Sequence, residues 1–345
     1  MLCLSILHGT DAAAIDPSTG DDEEVLAPDD VKRGRIYRLR DRLGIEYRFR
    51  GTINKALLVY DDGVSTNGYF PVDNWGYSSR FALEAQTRQF NSWRFGSRLE
   101  LGWDPYSTRT ISQVERSVDW SVTLRKLEIG AWSDVYGRFY VGQGSMASDG
   151  SAEVDLSGTT FAGQSRVERI AGGQLYRLMD ADLSDVSVRD TFTNMDGFGR
   201  RTRVRYDTPK WNGLRISTAI GKTLVPNERD DLGWDVALRH SGTVADIKFA
   251  SAIAFSRNFD GDRQVISGSA SALHEPSGIS ATVAAGWTKS EDSPDKHYLY
   301  GKLGYQAKWF EIGTTAFSVD AYRGYAINIT DDSSVSYGFQ FTQKV

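Results

Sequence analysis

The sequence predicts an all-β protein whose antiparallel strands form an up-and-down transmembrane β-barrel. Two observations predict this fold: apolar residues occupy every second position in segment after segment, and tight turns alternate with longer polar loops. Residues 279–287 show the pattern, with Ile, Ala, Val, Ala and Trp alternating with smaller or polar residues. A period of two gives each strand one apolar and one polar face. In a closed barrel, the apolar faces either fill a core or face lipid around a hydrated interior.

Composition narrows the class of protein. No run of about 18 apolar residues occurs in the 345 residues, which excludes membrane helices but not membrane strands. The formal net charge of −5 argues against a nucleic-acid partner. Cys3 is the single cysteine, so a disulfide-stapled fold and a four-cysteine metal site are excluded. The 34 Gly, 16 Tyr and 9 Trp suit a barrel with aromatic girdles, although they also suit a soluble lectin or β-sandwich.

The first fifty residues differ from the rest of the chain. Residues 1–14 are expected to be a partial signal-like segment, because a short apolar stretch ends in three alanines but lacks basic residues before it. The alternative is a disordered N-terminus without a targeting role. Residues 15–50 form a polar N-terminal lead, acidic at first. Within it, residues 36–48 could be a short helix or a first strand.

The predicted barrel covers residues 51–345, and its strands are long enough to cross an apolar layer when tilted. The predicted strands are 51–61, 79–90, 93–104, 117–131, 136–145, 199–208, 213–223, 232–241, 243–257, 263–274, 278–289, 296–307, 309–321 and 333–343. Seven tryptophans near strand ends are interpreted as interfacial girdles, with a buried core as the alternative. They are Trp93, Trp103, Trp132, Trp211, Trp234, Trp287 and Trp309.

The connections between predicted strands are sorted by length. Tight turns at 209–213, 241–242 and 275–278 alternate with longer polar loops, of which 223–231 and 323–332 are examples. Short turns at one rim and long loops at the other are typical of an outer-membrane barrel. A soluble sandwich has no reason to sort its loops in this way, and a lipocalin has too few strands.

Residues 146–198 interrupt this rhythm. They carry little period-two pattern and are far longer than an ordinary loop, a property that usually indicates function. We predict that this segment folds into the barrel and narrows it, with a short helix near 174–179 as one option. The C-terminal strand, residues 337–345, ends without the aromatic residue that usually closes such barrels. About fourteen strands are present, so we expect the last two of sixteen to be missing.

These segments together resemble the general porins of Gram-negative bacteria, especially the alphaproteobacterial branch. The matching stretches are residues 51–63, 80–85, 99–102, 125–130, 136–145, 148–150 and 203–209 with Gly213. The resemblance implies a sixteen-stranded outer-membrane barrel, a homotrimer, and contact with outer-membrane lipid and lipopolysaccharide. It also implies passive diffusion of ions and small polar solutes through the barrel, residues 146–198 being the internal constriction loop.

A channel of this kind needs opposed charges across a narrow waist. Arginines that share the polar face of their strands are expected to form a basic wall, since a charge on the lipid face costs about 2–4 kcal/mol at the midplane. They are Arg80, Arg88, Arg94, Arg98, Arg201, Arg203 and Arg205. The long loop supplies acids that could face this wall, although they could equally be solvated. They are Asp149, Glu153, Asp155, Asp180, Asp182 and Asp185.

The sequence offers little for other chemistry. The four histidines lack the spacing of a metal site, and no Gly-x-Ser-x-Gly motif is present, so neither a metal, nor another cofactor, nor catalysis is expected. Two alternatives to a channel stay open. One is an outer-membrane barrel enzyme, which would need a Ser–His pair at His240 or His274. The other is a soluble β-rich binding or structural protein.

Overall fold

The computed structural model describes residues 38–40, 44–116, 122–223, 231–259, 263–291, 293–329 and 332–345. The proposed signal-like segment and most of the polar lead lie outside the described residues. The strands are β1 Arg38–Arg40, β2 Glu46–Thr52, β3 Lys55–Asp61, β4 Thr66–Asp73, β5 Arg80–Gln86, β6 Arg94–Trp103, β7 Val122–Ser133, β8 Gly137–Ser145, β9 Leu175–Arg177, β10 Leu183–Ser187, β11 Arg200–Asp207, β12 Leu214–Lys222, β13 Gly233–Val244, β14 Ile247–Asn258, β15 Arg263–His274, β16 Ile279–Ser290, β17 Ser293–Phe310, β18 Gly313–Tyr325 and β19 Ser333–Gln343. One short helix, α1 Val188–Thr191, lies between β10 and β11.

Fifteen strands form one antiparallel sheet in the order β1, β2, β5 to β8 and β11 to β19. Each strand pairs with the next strand of the sheet along the chain, which confirms the predicted all-β, up-and-down architecture. β1 and β19 are its two edges, and within the described residues no ladder joins them. Among those residues, no helix is both long and apolar enough to span a membrane, a result that concerns helices only.

The start of the sheet differs from the prediction. The predicted strand 51–61 is wrong: β2 ends at Thr52, and β3 pairs with β4 in a separate two-stranded hairpin. The chain turns at Asn54, whose amide donates to Ser79 Oγ at 3.0 Å. The sheet also begins before residue 51, because residues 46–50 pair with β5. The segment left open as helix or strand therefore contains β1 and the start of β2.

The apolar faces of the sheet strands point away from the interior. Val204 on β11 and Val283 on β16 are 53% and 56% exposed, whereas Arg203 and Arg205, which flank Val204, are buried. Burying arginines while exposing valines would be unfavourable in a protein surrounded by water. The alternation is therefore that of a barrel with an apolar outside and a polar inside, as predicted.

The two rims of the sheet carry different connections. At one end, here called the short-turn rim, residues 134–136, 245–246 and 311–312 join consecutive strands. At the other end, the long-loop rim, the connections include the β3–β4 hairpin and residues 146–199, here called the internal loop. Aromatic rings cluster near the short-turn rim, where Trp93 and Tyr136 stack with their ring centroids 5.7 Å apart. Trp132, assigned to a girdle from the sequence, instead faces inward and is buried against Tyr140, because its strand parity is that of the polar face.

The internal loop folds inside the sheet, as predicted, and contains little regular structure. The helix considered for residues 174–179 is not formed there; β9 begins at Leu175 and pairs with β10. The helical turn is α1, which Ser187 caps by exchanging hydrogen bonds with Asp190. This capping box ends the β9–β10 hairpin before the chain returns toward β11.

Candidate functional site

The internal loop is attached to the inner face of β15 by a column of serines. Ser269 Oγ accepts a hydrogen bond from the amide of Val154 at 2.9 Å and donates to the carbonyl of Ser151 at 2.7 Å. Two residues further along the same face, Ser271 Oγ accepts from the amide of Leu156 at 2.9 Å. Small side chains let the loop backbone approach the wall, and their hydroxyls satisfy its polar groups.

Two charged anchors fix the loop more firmly. Lys302 Nζ on β17 donates to Asp155 Oδ2 and to the carbonyl of Gly163, each at 2.7 Å. Asp235 on β13 accepts from the amide of Ser148 at 2.8 Å and from its hydroxyl at 2.6 Å. Both anchors are buried, so their hydrogen bonds are not exchanged for water.

Charged side chains also cross-brace the loop. Glu153 Oε1 lies 3.3 Å from Arg169 and 3.7 Å from Arg166, which also binds Glu168 at 2.9 Å. Asp196, near the end of the loop, accepts from the amides of Gly150 and Ala152 at 2.7 and 2.8 Å. The contacts of Asp196 hold the first part of the internal loop, at Gly150 and Ala152, to its last part. Burial raises the pKa of the Asp196 carboxyl well above its usual range, and the nearby charges of Glu153 and Asp149 raise it further.

On the inner face of β2 and β5 to β7, residues of opposite charge lie directly opposite one another on neighbouring strands. One row across β2, β5, β6 and β7 reads Arg48, Glu84, Arg98 and Glu128. Alternating signs at directly opposed positions stabilise neighbouring strands. The row continues at Gly142, a glycine with φ +120°, where a Cβ would lie 2.3 Å from the carbonyl oxygen of Leu127. Past this glycine, Arg203 reaches Glu128 to complete the row.

We call the interacting charged residues of β2, β5 to β7 and β11 the charged wall. It consists of Glu46, Arg48, Arg50, Arg80, Glu84, Arg98, Glu100, Arg125, Lys126, Glu128 and Arg203. Glu100 is its centre: it lies 2.7 Å from Arg98, 2.6 Å from Arg125 and 3.7 Å from Arg80. Part of the wall borders a small recess, which Arg48, Arg98 and Trp132 help to line. The wall is therefore a packed ion-pair network that meets open space.

The arginines predicted to form the wall are placed differently from one another. Arg80 and Arg98 project from the inner face and belong to the charged wall. Arg94 lies at the short-turn end of β6, 3.8 Å from the exposed Asp134. Arg88 follows the end of β5 and is exposed in the turn, because the strand is shorter than predicted.

The arginines of β11 face inward, but they are buried at the root of the internal loop. Arg203 Nε donates to the carbonyl of Ser145 at 3.0 Å, and Arg205 donates to the carbonyl of Met146 at 3.2 Å. Arg201 pairs with Asp231 at 2.6 Å. Arg203 and Arg205 thus hold the end of β8 and the start of the loop, whereas Arg201 is held by the segment before β13; all three side chains are buried.

The loop acids do not form one surface facing the arginines. Asp155 is buried against Lys302, and Glu153 is bound by Arg166 and Arg169. The remaining predicted acids, Asp180, Asp182 and Asp185, are exposed on the β9–β10 hairpin, and Asp149 is half-buried near Asp196.

Several charged residues of the wall are not among those predicted from the sequence. Arg50 was assigned to the polar lead, although it shares the face of Arg48 on β2. Arg125 and Lys126 are adjacent, so strict alternation would place one of them outside. A register irregularity opposite Glu100 and Leu101 instead keeps both inside, with Lys126 opposite Glu100. Only the adjacent pair of cations in an otherwise alternating strand could have signalled this bulge.

At the long-loop rim, a second ion pair ties the β3–β4 hairpin to the internal loop. Arg177 on β9 lies 3.0 Å from Asp62, and Gln113 donates to both Asp62 and the carbonyl of Leu175. Burial raises the pKa of Asp62, but hydrogen bonds from the Ser65 amide and Arg177 outweigh it and hold the pKa below its usual range. Three loop segments are therefore fastened at one carboxylate.

The histidines give weak support to an enzyme. His274 Nδ1 lies 2.8 Å from Ser277 Oγ, but the two residues belong to the same exposed tight turn, where this contact caps the turn. His240 contacts the carbonyl of Asn212. Within the part of the chain that the structure describes, no group of three metal-ligating side chains occurs.

Comparisons with known proteins bear on the fold. No family model matches the sequence, and no curated protein matches it either. Among solved structures, OmpF of Salmonella typhi in complex with daunomycin superimposes with a TM-score of 0.51, covering 88% of this chain and 87% of that one at 12% identity. OprB of Pseudomonas putida gives a TM-score of 0.49 at 9% identity, over 82% of this chain and 75% of that one. Outer-membrane expressed OmpT of Vibrio cholerae gives 0.45 at 13% identity, over 88% and 97%. The chain has a porin-like fold.

Proposed function

We propose that this protein is an outer-membrane channel through which ions and small hydrophilic solutes diffuse passively. The observation that carries the proposal is the inversion of polarity across one sheet: Val204 and Val283 are exposed, while Arg203 and Glu100 lie inside. An apolar exterior suits lipid, and a charged interior suits water and dissolved ions. The internal loop, held inside by Lys302 and Asp235, would set the width of the path.

The porin-like fold and the resemblance of the sequence to general porins support an outer-membrane location in a Gram-negative bacterium. On the same basis we propose a homotrimer in contact with outer-membrane lipid and lipopolysaccharide. Large side chains on the outer face of β2, β5 and β6, including Phe49, Phe81 and Phe95, are exposed and available for lipid or for a neighbouring copy.

The direct test is conductance. The full chain, refolded in detergent and added to a planar lipid bilayer, should produce discrete, voltage-independent conductance steps. Its mass in detergent, measured by light scattering, should be that of three chains. Protein that remains soluble without detergent and never conducts would overturn the proposal and favour a soluble β-rich protein. Hydrolysis of added lipid without conductance would instead favour a barrel enzyme.

A further inference from the structure

Two adjacent glycines let three segments of the chain meet at the long-loop rim. Gly172 and Gly173 belong to the internal loop, and a Cβ on Gly172 would lie 2.8 Å from the ring of Trp75. A Cβ on Gly173 would lie 2.3 Å from the carbonyl oxygen of Ile111, in the connection that follows β6. Any larger residue would push these segments apart, because its side chain would meet a ring or backbone atom. The glycines therefore allow the internal loop to touch the segment before β5 and the segment after β6.

Hydrogen bonds fix this junction. The amide of Gly173 donates to the carbonyl of Thr108 at 3.0 Å, and Thr108 Oγ1 accepts from the amide of Trp75 at 3.1 Å. The amide of Arg189 donates to the carbonyl of Gly172 at 3.0 Å. The three segments are therefore held at fixed positions relative to one another.

Three guanidinium groups gather around Trp75 at this junction. That of Arg109 lies 5.2 Å from the centroid of the indole ring, and that of Arg166 lies 5.9 Å from it. Arg189 Nη1 donates to the carbonyl of Arg109 at 3.3 Å. Partial burial lowers the pKa of Arg109, and the charges of Arg189 and Arg166 lower it further. Like charges held this close repel one another, so a bound group of opposite sign would stabilise the cluster.

The protein neutralises only one of these three arginines. Arg166 lies 2.9 Å from Glu168 and 3.7 Å from Glu153. Arg109 and Arg189 are exposed, and neither forms an ion pair with any residue that the structure describes. These two side chains can therefore offer all their guanidinium charge to a molecule from solution.

The carboxylate closest in sequence to these arginines is engaged elsewhere. Asp190 follows Arg189, but it accepts from the amide of Ser187 at 2.9 Å and from its hydroxyl at 2.6 Å. The capping box of α1 thus occupies Asp190. Arg109 and Arg189 together carry two positive charges, which one doubly charged anion would balance.

We propose that Arg109 and Arg189, beside Trp75, form a binding site for a phosphate group. Guanidinium groups donate paired, charge-assisted hydrogen bonds that match the spacing of phosphate oxygens. A carboxylate balances one positive charge, whereas a phosphate monoester carries a charge of about −1.5 to −2 at neutral pH. Free phosphate and phosphate monoesters share this chemistry. The site shares no residue with the charged wall, and binding to it does not require the protein to conduct.

The experiment is labelling of arginines in the refolded full chain with phenylglyoxal, followed by mass spectrometry of its peptides. Increasing concentrations of inorganic phosphate should protect Arg109 and Arg189 together, and the protection should saturate. Arg116 is the reference, because it is exposed on the same connection, over the ring of Tyr69 at 5.4 Å. Its labelling should not change. Potassium chloride at the same ionic strength should protect neither Arg109 nor Arg189.

Methyl phosphate separates the two sources of the ligand. Protection at a lower concentration of methyl phosphate than of inorganic phosphate supports a site for organic phosphates, and the reverse order supports a site for the free ion. Protection of Arg109 no greater than that of Arg116, or equal protection by potassium chloride, would overturn the inference.

Two variants test whether the arginines act together. Arg109→Gln and Arg189→Gln break no ion pair within the described residues, so both should fold. Each should raise the phosphate concentration that half-protects the remaining arginine by about tenfold, because one charge-assisted contact is lost. Arg116→Gln, the matched control, should leave that concentration unchanged. An unchanged concentration in Arg109→Gln as well would contradict a shared site.

The site and the proposed channel function can fail separately. Conductance in a bilayer without protection by either phosphate would overturn the phosphate site and leave the channel function standing. Protection without conductance would support the phosphate site and overturn the channel function.

Discussion

Lys302 and Asp155 form a buried ion pair that joins the sheet wall to the internal loop across 147 residues of sequence. Their side chains are 0% and 3% exposed, and the lysine also donates to the carbonyl of Gly163. A buried charge is tolerated only when it is paired and hydrogen-bonded. The position of the loop inside the sheet therefore depends on this contact.

Lys302→Met should release the loop. It leaves Asp155 without its partner in a buried site, a change that costs about 3–5 kcal/mol. Limited proteolysis should then cut the internal loop faster than in the unmodified protein, while the strands stay protected. The double variant Asp155→Leu with Lys302→Met removes both charges and should restore most of the resistance. Equal cleavage rates in the single variant and the unmodified protein would show that the pair does not hold the loop.

Val204→Arg should prevent stable insertion into a membrane. Val204 is exposed on the outer face of β11, where an arginine near the bilayer midplane costs about 2–4 kcal/mol. The fraction of folded protein in lipid vesicles, measured by heat-dependent gel mobility, should fall sharply. Val204→Leu, which keeps the position apolar, should insert normally. Full insertion of the arginine variant would argue that this face does not contact lipid.

Asp62→Asn should loosen the contact between the β3–β4 hairpin and the internal loop. Because the folded state lowers the pKa of Asp62, its stabilising contribution is complete above the unfolded value of about 3.9. That contribution is lost as the pH falls through the lower, folded pKa. Exchange protection of residues 55–73, corrected for the intrinsic rate, should therefore be high at neutral pH and lower in strong acid, and it should be low at both in the variant. The neighbouring Asp61→Asn, whose carboxylate bonds only within its own hairpin, is the control and should leave exchange at neutral pH unchanged.

Asp196→Asn should remove a pH dependence of the internal loop. The folded state raises the pKa of Asp196, so its favourable contribution is complete below the unfolded value of about 3.9 and declines as the pH rises through the folded pKa. Exchange protection at Gly150 and Ala152, corrected for the intrinsic rate, should decrease with rising pH. In the asparagine variant it should be flat. If the pH dependence persists in Asp196→Asn but disappears in Asp185→Asn, then Asp185 and not Asp196 causes it, and the prediction is wrong.

The strands could be predicted because their evidence is local. Alternation within β15 or β16 is visible in a dozen residues, and the structure places both strands within one residue of the prediction. The first predicted strand failed for the opposite reason. Its end is set at Asn54 by a hydrogen bond to Ser79, 25 residues away, and the alternation on either side conceals the break.

The candidate site was less predictable because its chemistry lies in pairings. Arginines on the inner face follow from parity, as Arg80 and Arg98 illustrate. Which carboxylates lie beneath them depends on the register between strands, and which loop acids are neutralised depends on contacts such as that of Asp155 with Lys302. An acidic loop opposite a basic wall was predicted from the charged residues alone, because the sequence does not show which charges are paired with one another.

The serine column on β15 has a consequence for how this protein can diverge. Ser269 and Ser271 recognise amide and carbonyl groups of the loop, which every residue except proline supplies in full. The side chains of Val154 and Leu156, whose amides the two serines bind, can therefore be exchanged during evolution, or in the laboratory, without loss of these hydrogen bonds, whereas Asp155 between them cannot be exchanged without loss of its ion pair. The side chains that the internal loop presents to the interior can therefore change at these positions while the serines of β15 stay the same.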